Sequence, residues 1–224
     1  MRTTYKFGLA LSIDSVLHLL TLIILLFSLI TSGTGLLYST DGIPFDYRNQ
    51  YGDIVKIWGS GLYANDSFFR APIFRGTDFT IFFLACPLLL IAFLLDVFRN
   101  SLKTRLLLTS LIGCFLYYSA SISFGVTYNF LQLLYIALFS VSFYGFIAAI
   151  TSIDRAFLKE RISQKMSCKG IIAFLIFTGM ALIIAWLPDI FVAHEAERPL
   201  LLIENYTTEI TYVIDMGIIA PLCF

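Results

Sequence analysis

Six polar residues at the outer ends of apolar segments have the chemistry of a binding site. Two are carboxylates and the others carry an amide or a phenol: Asp189, Asp215, Asn129, Tyr117, Tyr118 and Tyr128. Burying an ionisable group in hydrocarbon is costly unless it faces a partner or water. Carboxylates with an amide and a phenol suit a hard cation, a cationic solute or a proton relay. These residues therefore predict a polar pocket that opens to the outer face of a membrane.

Asp215 is the leading residue of this predicted pocket. It lies about one and a half turns inside the outer end of the last apolar segment, and Asp189 lies at a similar depth in the segment before it. Antiparallel helices would bring both carboxylates to one level. The alternative is structural: Asp215 accepts hydrogen bonds for helix packing, and Asp189 follows Pro188 at a helix end among the lipid headgroups.

A second pair, Asp14 and His18, lies in the first apolar segment. Residues four apart share one face of a helix, so this pair fits a proton relay or half of a metal site. A metal site needs at least three ligands, and the other histidine, His194, is expected on the opposite side of the membrane. No metal is therefore predicted, and no cofactor is indicated. The plainer interpretation is that His18 pairs with Asp14 or with a hydroxyl.

The composition requires a membrane to position these residues. The 224-residue chain is 58% hydrophobic and 13% charged, against about 25% charged in soluble domains. Hydropathy predicts an all-α polytopic membrane helix bundle, a single domain over 1–224, with five complete spans and a partial sixth: Leu9–Thr31, Phe79–Val97, Leu106–Phe124, Tyr128–Ile150, Ile171–Ala193 and Ile210–Phe224. Because the last segment is short for a span, it is expected to be re-entrant or cut off by the end of a fragment.

Charges between the spans predict the orientation. One set of ends carries an excess of basic residues: Arg2, Lys6, Arg99, Lys103, Arg105, Arg155, Lys159, Arg161, Lys165 and Lys169. The opposite links are rich in Asp and Glu. The positive-inside rule then places the N-terminus of this multi-pass membrane protein in the cytoplasm.

The outer loop over 32–78 is too long to be only a turn. Residues 53–58 are predicted to form a strand, 59–61 a turn and 62–63 the returning strand of a small hairpin. An isolated hairpin is marginal in water, so it is expected to pack on the bundle. Its role is a lid over an outward-facing site or, as the favoured interpretation, a structured connector.

Short motifs from this loop to the end of the chain resemble those of a known family. They include Gly61-Leu62-Tyr63, Arg75-Gly76-Thr77-Asp78, Pro87-Leu88-Leu89, Tyr117-Tyr118, Tyr128-Asn129, Tyr135-Ile136-Ala137 and Val213-Ile214-Asp215-Met216-Gly217. The chain resembles a family of uncharacterised bacterial integral membrane proteins. The resemblance implies a six-helix bundle of the bacterial inner (cytoplasmic) membrane whose last helix continues beyond Phe224, and it implies no mechanism.

Function is predicted only as a class. Phosphate-loop, zincin and serine-hydrolase motifs do not occur, and the basic residues form no nucleic-acid footprint, so no nucleic-acid partner is predicted. Buried carboxylates favour a transporter, a permease-like protein or a solute-binding protein. The alternatives are a membrane-embedded enzyme, a lipid-binding protein, or an accessory subunit of a membrane complex. The lipid bilayer is the expected partner, with other membrane subunits in the last case.

Overall fold

The chain is an all-α membrane helix bundle with a small antiparallel sheet between two of its helices. The computed structural model describes residues 12–49, 52–154 and 169–196, with 214–215, 219–220 and 223. Within these residues, five helical segments are long and apolar enough to cross a membrane. The fold class predicted from the sequence is therefore confirmed. Most of the predicted sixth span, Ile210–Phe224, lies outside the described residues.

The helices extend beyond the segments that hydropathy marks. Their bounds are α1 Ile13–Leu37, α2 Arg70–Thr80, α3 Cys86–Arg99, α4 Leu102–Gly125, α5 Gln132–Thr151 and α6 Lys169–Glu195. Most run past the predicted ends because polar turns continue a helix into the headgroup region, whereas hydropathy records only its hydrocarbon part. The segment between α1 and α2 is accordingly 38–69 rather than 32–78. Helix α5 begins four residues later than predicted, at Gln132, after a turn.

A π-helical turn, Ile81–Ala85, joins α2 to α3 in one continuous span. It lies directly before Pro87, which has no N–H to donate and whose ring crowds the carbonyl of the preceding turn. Widening the helix by one residue per turn relieves that crowding. The Cys86 N–H accordingly bonds to the Ile81 carbonyl.

Contacts divide the chain into two compact units. Unit 1 comprises the described residues of 12–36, 78–120 and 131–154, and unit 2 those of 37–77, 121–130 and 162–224. Unit 1 is built on close helix approach at small residues: a Cβ on Gly145 of α5 would lie 3.1 Å from Ile24 Cδ1 of α1. Such approaches are how membrane helices gain packing contacts. The single domain expected from the sequence stays a prediction.

Unit 2 contains the sheet, and here one pairing predicted from the sequence is wrong. Strand β1, Phe45–Arg48, pairs antiparallel with β2, Ile54–Ile57, with Phe45 opposite Ile57. The predicted strand over 53–58 is therefore present, but its partner precedes it. Leu62 and Tyr63 form no returning strand because both side chains are buried in the unit 2 core.

Candidate functional site

A tight turn between α3 and α4 creates the principal polar site of unit 1. Asn100 ends α3 in the left-handed conformation, and its N–H bonds to the Asp96 carbonyl. Ser101 then caps α4, since Ser101 and Thr104 each accept the other's backbone N–H through their hydroxyls. Asp96 lies one turn before this connection and Arg105 one turn after it. The turn therefore brings their side chains together.

Four side chains from three helices form what we call the ionic cluster: Asp14, His18, Asp96 and Arg105. Arg105 Nε lies 3.1 Å from both carboxylate oxygens of Asp96, and its second amino nitrogen lies 3.0 Å from Asp96 Oδ2. Its other amino nitrogen donates to Asp14 Oδ1 at 2.7 Å. His18 Nε2 lies 2.9 Å from Asp96 Oδ2. One guanidinium thus joins both carboxylates.

The partners of Asp14 and His18 differ from the predicted pair. Both residues lie on one face of α1, yet within the described residues no hydrogen bond joins them: Asp14 bonds to Arg105, and His18 bonds to Asp96. An ionised carboxylate only accepts, so the His18 proton facing Asp96 is on Nε2. No group of three or more His, Cys, Asp or Glu side chains in the described part of the chain is arranged for a metal.

The positions of Asp96 and Arg105 oppose their own helix dipoles. Asp96 is in the last turn of α3, where the dipole favours a cation, and Arg105 is in the first turn of α4, where it favours an anion. The Asp96 side chain is 0% exposed and that of Arg105 8% exposed. Each charged side chain is therefore stabilised in its buried position by the other. Removing one of them would leave a buried charge unpaired.

A cavity of about 230 Å³ adjoins the ionic cluster. The start of α1, the α3–α4 turn and the end of α5 line it with Asp14, Asn100, Ser101, Leu102, Arg105, Ser152, Ile153 and Asp154. Its charged lining consists of two carboxylates and one guanidinium, which leaves one negative charge. The Asp14 side chain is 48% exposed, so it is reached from this cavity, whereas Asp96 lies behind it. The arrangement suits a small cation or a protonated solute.

A second buried polar group, the tyrosine cluster, consists of Thr31, Asp78 and Tyr118. The Tyr118 hydroxyl donates to Asp78 Oδ1 at 3.0 Å and lies 3.3 Å from Thr31 Oγ1. All three residues are at most 3% exposed. Thr31 is near the end of α1 and Asp78 lies near the end of α2, so this cluster is at the end of unit 1 remote from Asp14. It stabilises a carboxylate inside the span.

The residues of the predicted outer pocket have varied environments. In unit 1, Tyr118 is buried with partners that the sequence analysis did not assign to it, and Tyr117 is partly exposed. In unit 2, Tyr128 is 77% exposed, and Asn129 Nδ2 lies 3.5 Å from the Thr127 carbonyl. A shared pocket for these residues stays a prediction.

The two predicted outer carboxylates both belong to unit 2. Asp215 is buried and accepts a hydrogen bond from Trp186 Nε1 of α6 at 2.8 Å. Asp189 is half-buried, one turn after Trp186 on the same helix. The Trp186 contact matches the structural alternative for Asp215, in which it accepts from a neighbouring helix. It also leaves the binding role untested.

Asp66 is a buried carboxylate outside the membrane spans. Its Oδ1 accepts from the Thr127 N–H at 3.1 Å and from the Thr127 hydroxyl at 2.9 Å. Burial raises the pKa of Asp66, although both hydrogen bonds and the charge of Arg70 lower it. Arg70 itself donates to the Gly125 carbonyl. Asp66 and Arg70 thereby tie the 38–69 segment and α2 to the α4–α5 connection within unit 2.

The raised pKa of Asp66 predicts a pH-dependent stability difference. With a folded pKa above the unfolded one, its contribution is full at low pH and is lost as pH rises through the folded value. We therefore expect the stability of Asp66→Asn to increase relative to that of the wild type as the pH rises above 3.8, the ordinary pKa of an aspartate. Thermal unfolding of both proteins across pH 3.5 to about 7.5 measures this difference. A difference that does not vary with pH would contradict the shift.

Asp66→Ala separates the hydrogen bonds from the charge. Alanine removes the acceptor of the Thr127 N–H and of the Thr127 hydroxyl, which costs about 0.5–1.5 kcal/mol for each lost hydrogen bond. Asparagine keeps an acceptor oxygen and is expected to cost less. Equal losses for the two variants would mean that the Thr127 bonds contribute little.

Three of the site residues were missed by sequence reasoning. Arg105 was counted only as a positive-inside residue, and Asp78 only as a loop acid. Asp96 lies within the predicted span Phe79–Val97, so a carboxylate in an apolar segment was the available signal. Its significance depends on Arg105, nine residues later, and their meeting depends on the α3–α4 turn.

Comparisons with known proteins return no relative for this chain. No family model, no curated protein and no solved structure matches it. The chemistry of the site therefore rests on the contacts within the chain.

Proposed function

We propose that the chain is a transport or solute-binding protein of the membrane and that it takes a small cation or a protonated solute at the ionic cluster. The observation that carries this proposal is the cavity that reaches Asp14, a carboxylate that, among the described residues, Arg105 holds through one oxygen. Charged groups inside membrane spans are costly and commonly mark ion paths or proton relays. A purely structural ion pair between Asp96 and Arg105 needs neither a second carboxylate nor an adjoining cavity.

The charge balance of the cluster favours a cationic ligand. Asp14 and Asp96 together exceed the charge of Arg105 by one negative charge. The imbalance is met either by a proton on His18 or by a cation beside Asp14 in the cavity. Since His18 and Asp14 are joined through Asp96 and Arg105, binding at one position alters the field at the other. This arrangement is suited to coupling a cation to a proton.

In this proposal the N-terminus and the ionic cluster lie on the cytoplasmic side, as the positive-inside rule indicates, and the membrane is the bacterial inner membrane that the family resemblance implies. Membership of the six-helix bacterial family belongs to the same proposal. The outer pocket around Asp215 stays a prediction. Its described contact, with Trp186, fits packing as well as binding.

Thermal unfolding in nanodiscs tests the binding step. NaCl, KCl or methylammonium chloride would be titrated against choline chloride at constant ionic strength. A ligand at 100 times its Kd stabilises by about 2.7 kcal/mol, which raises the Tm by about 5–10 °C for a chain of this size. Asp14→Asn is expected to abolish the shift while keeping an acceptor for Arg105. Asp41→Asn, an exposed carboxylate in unit 2, is the matched control.

Uptake of the stabilising cation into proteoliposomes then separates transport from binding. Transport predicts uptake that depends on a pH gradient and is lost in Asp14→Asn. Binding without uptake would leave a solute-binding protein. If none of the three cations shifts the Tm of the wild type, the proposed ligand class is wrong.

An accessory subunit of a membrane complex is the second candidate, and α6 favours it. Among its described residues only Gly179 and Ala193 are buried, and an apolar groove on it includes Leu187, Pro188 and Phe191. Lipid covers such a helix equally well, so native mass of the protein extracted from its own membrane decides between them. A membrane-embedded enzyme or a lipid-binding protein predicts turnover or bound lipid without uptake.

A further inference from the structure

Two serine hydroxyls in the core of unit 1 have no hydrogen-bond partner among the described residues. They are Ser28 Oγ on α1 and Ser142 Oγ on α5, and both residues are 0% exposed. Hydroxyls in a helix usually bond to the carbonyl one turn earlier, as Thr21 does to Leu17. A buried polar group without a partner is destabilising, and such groups in native proteins are commonly satisfied by an ordered water.

Helix packing places the two hydroxyls at a similar depth. The start of α1 and the end of α5 line one cavity, so the two helices run antiparallel. They approach closely where Gly145 meets Ile24. One turn further from that cavity, α1 presents Ser28 and α5 presents Ser142, each on the same buried face as its contact residue.

The same region continues into the tyrosine cluster. Thr31, one turn after Ser28, donates to the Ser28 carbonyl at 3.1 Å and lies 3.3 Å from the Tyr118 hydroxyl. Tyr118 in turn donates to Asp78. A polar series therefore runs from Asp78 to the neighbourhood of the two serines, through side chains that are all buried.

We propose that Ser28 and Ser142 hold an internal water molecule between α1 and α5, in the centre of unit 1 and about one turn from the tyrosine cluster. Water suits the site because each hydroxyl gives and accepts a hydrogen bond, and neither carries the charge that would hold a dehydrated ion. The water site is separate from the cation site at Asp14 and does not depend on it.

A high-resolution structure of the wild-type protein in lipid tests the water directly. One water oxygen is expected about 2.7–3.2 Å from both Ser28 Oγ and Ser142 Oγ. A direct bond between the two serines, or an unoccupied space between them, would overturn the proposal. This test needs no variant, so it remains decisive if a substitution prevents folding.

A double-mutant cycle tests the same site through stability. Ser28→Ala and Ser142→Ala are each expected to lower the Tm by about 2–8 °C, because the water and the remaining hydroxyl lose a partner. The double variant is expected to recover part of that loss, since no polar group then remains unsatisfied. Ser110→Ala, at an exposed hydroxyl of α4 in the same unit, is the matched control. Additive losses in the double variant would contradict a shared water.

Discussion

Replacing Asp96 with alanine is expected to lower the free energy of unfolding by about 3–5 kcal/mol. The side chain is fully buried and satisfies both Arg105 and His18. Without it, the guanidinium keeps only Asp14 and loses its two-oxygen partner. The α3–α4 turn keeps the Arg105 side chain next to the position that the Asp96 carboxylate occupied. Unfolding of the purified protein in mixed micelles, followed against the SDS mole fraction, measures the loss.

Two further variants identify the cause of that loss. Asp96→Asn keeps the shape and one acceptor oxygen, so an intermediate cost is expected. Replacing the pair together, Asp96→Leu with Arg105→Met, is expected to recover most of the stability because no buried charge remains unpaired. Asp41→Ala, at an exposed carboxylate, is expected to stay within about 0.5 kcal/mol of wild type. If Asp96→Ala costs no more than this control, the cluster is solvated and the pairing argument is wrong.

Gly59→Ala is expected to destabilise the 38–69 segment of unit 2 by about 2–5 kcal/mol. Gly59 has φ +82°, which disfavours any residue with a Cβ. A Cβ there would lie 2.0 Å from the Ile43 carbonyl oxygen, which is backbone and cannot rotate away. The backbone at Ile43 and the backbone at Gly59 would have to move apart. Because Gly59 closely follows β2, the end of this strand is expected to lose its packing against residues 43–44. Hydrogen–deuterium exchange of the peptide over 53–69 measures the effect.

Gly76→Ala is the matched control for this prediction. Gly76 lies inside α2, and a Cβ there meets no atom within 4 Å. Alanine is the better helix former, so a gain of about 0.5–1 kcal/mol is expected. Unchanged hydrogen–deuterium exchange in Gly59→Ala would show that the backbone at Ile43 and the backbone at Gly59 can move apart without destabilising the segment.

The spans could be predicted from the sequence because hydropathy is a property of each segment alone. Ile13–Leu37 and Lys169–Glu195 are each long and apolar enough to cross a membrane, whatever they pack against. Helix ends were less predictable since they depend on local polar chemistry. Ser101 and Thr104 exchange hydrogen bonds at the start of α4. This cap can be predicted from the sequence only when the position of the preceding turn is known.

The 38–69 segment shows where local reasoning fails. The strand predicted over 53–58 is present as Ile54–Ile57, but its partner precedes it in the chain instead of following it. Leu62 and Tyr63 were predicted to form the returning strand, yet both side chains are buried in unit 2 and β2 pairs with Phe45–Arg48 instead. Which segment a strand pairs with depends on residues elsewhere in the chain and cannot be predicted from the strand's own sequence.

The sequence by itself determined that this is a polytopic membrane protein with Asp14 and His18 on one helical face. Only the tertiary structure decided that His18 binds Asp96, that Asp14 binds Arg105 and that Tyr118 donates to Asp78. The physical reason is that hydrocarbon selects apolar segments one at a time, whereas a buried charge must find its partner across helices. Such partners are fixed by turns and close helix approaches, and these are set by the packing of the whole unit.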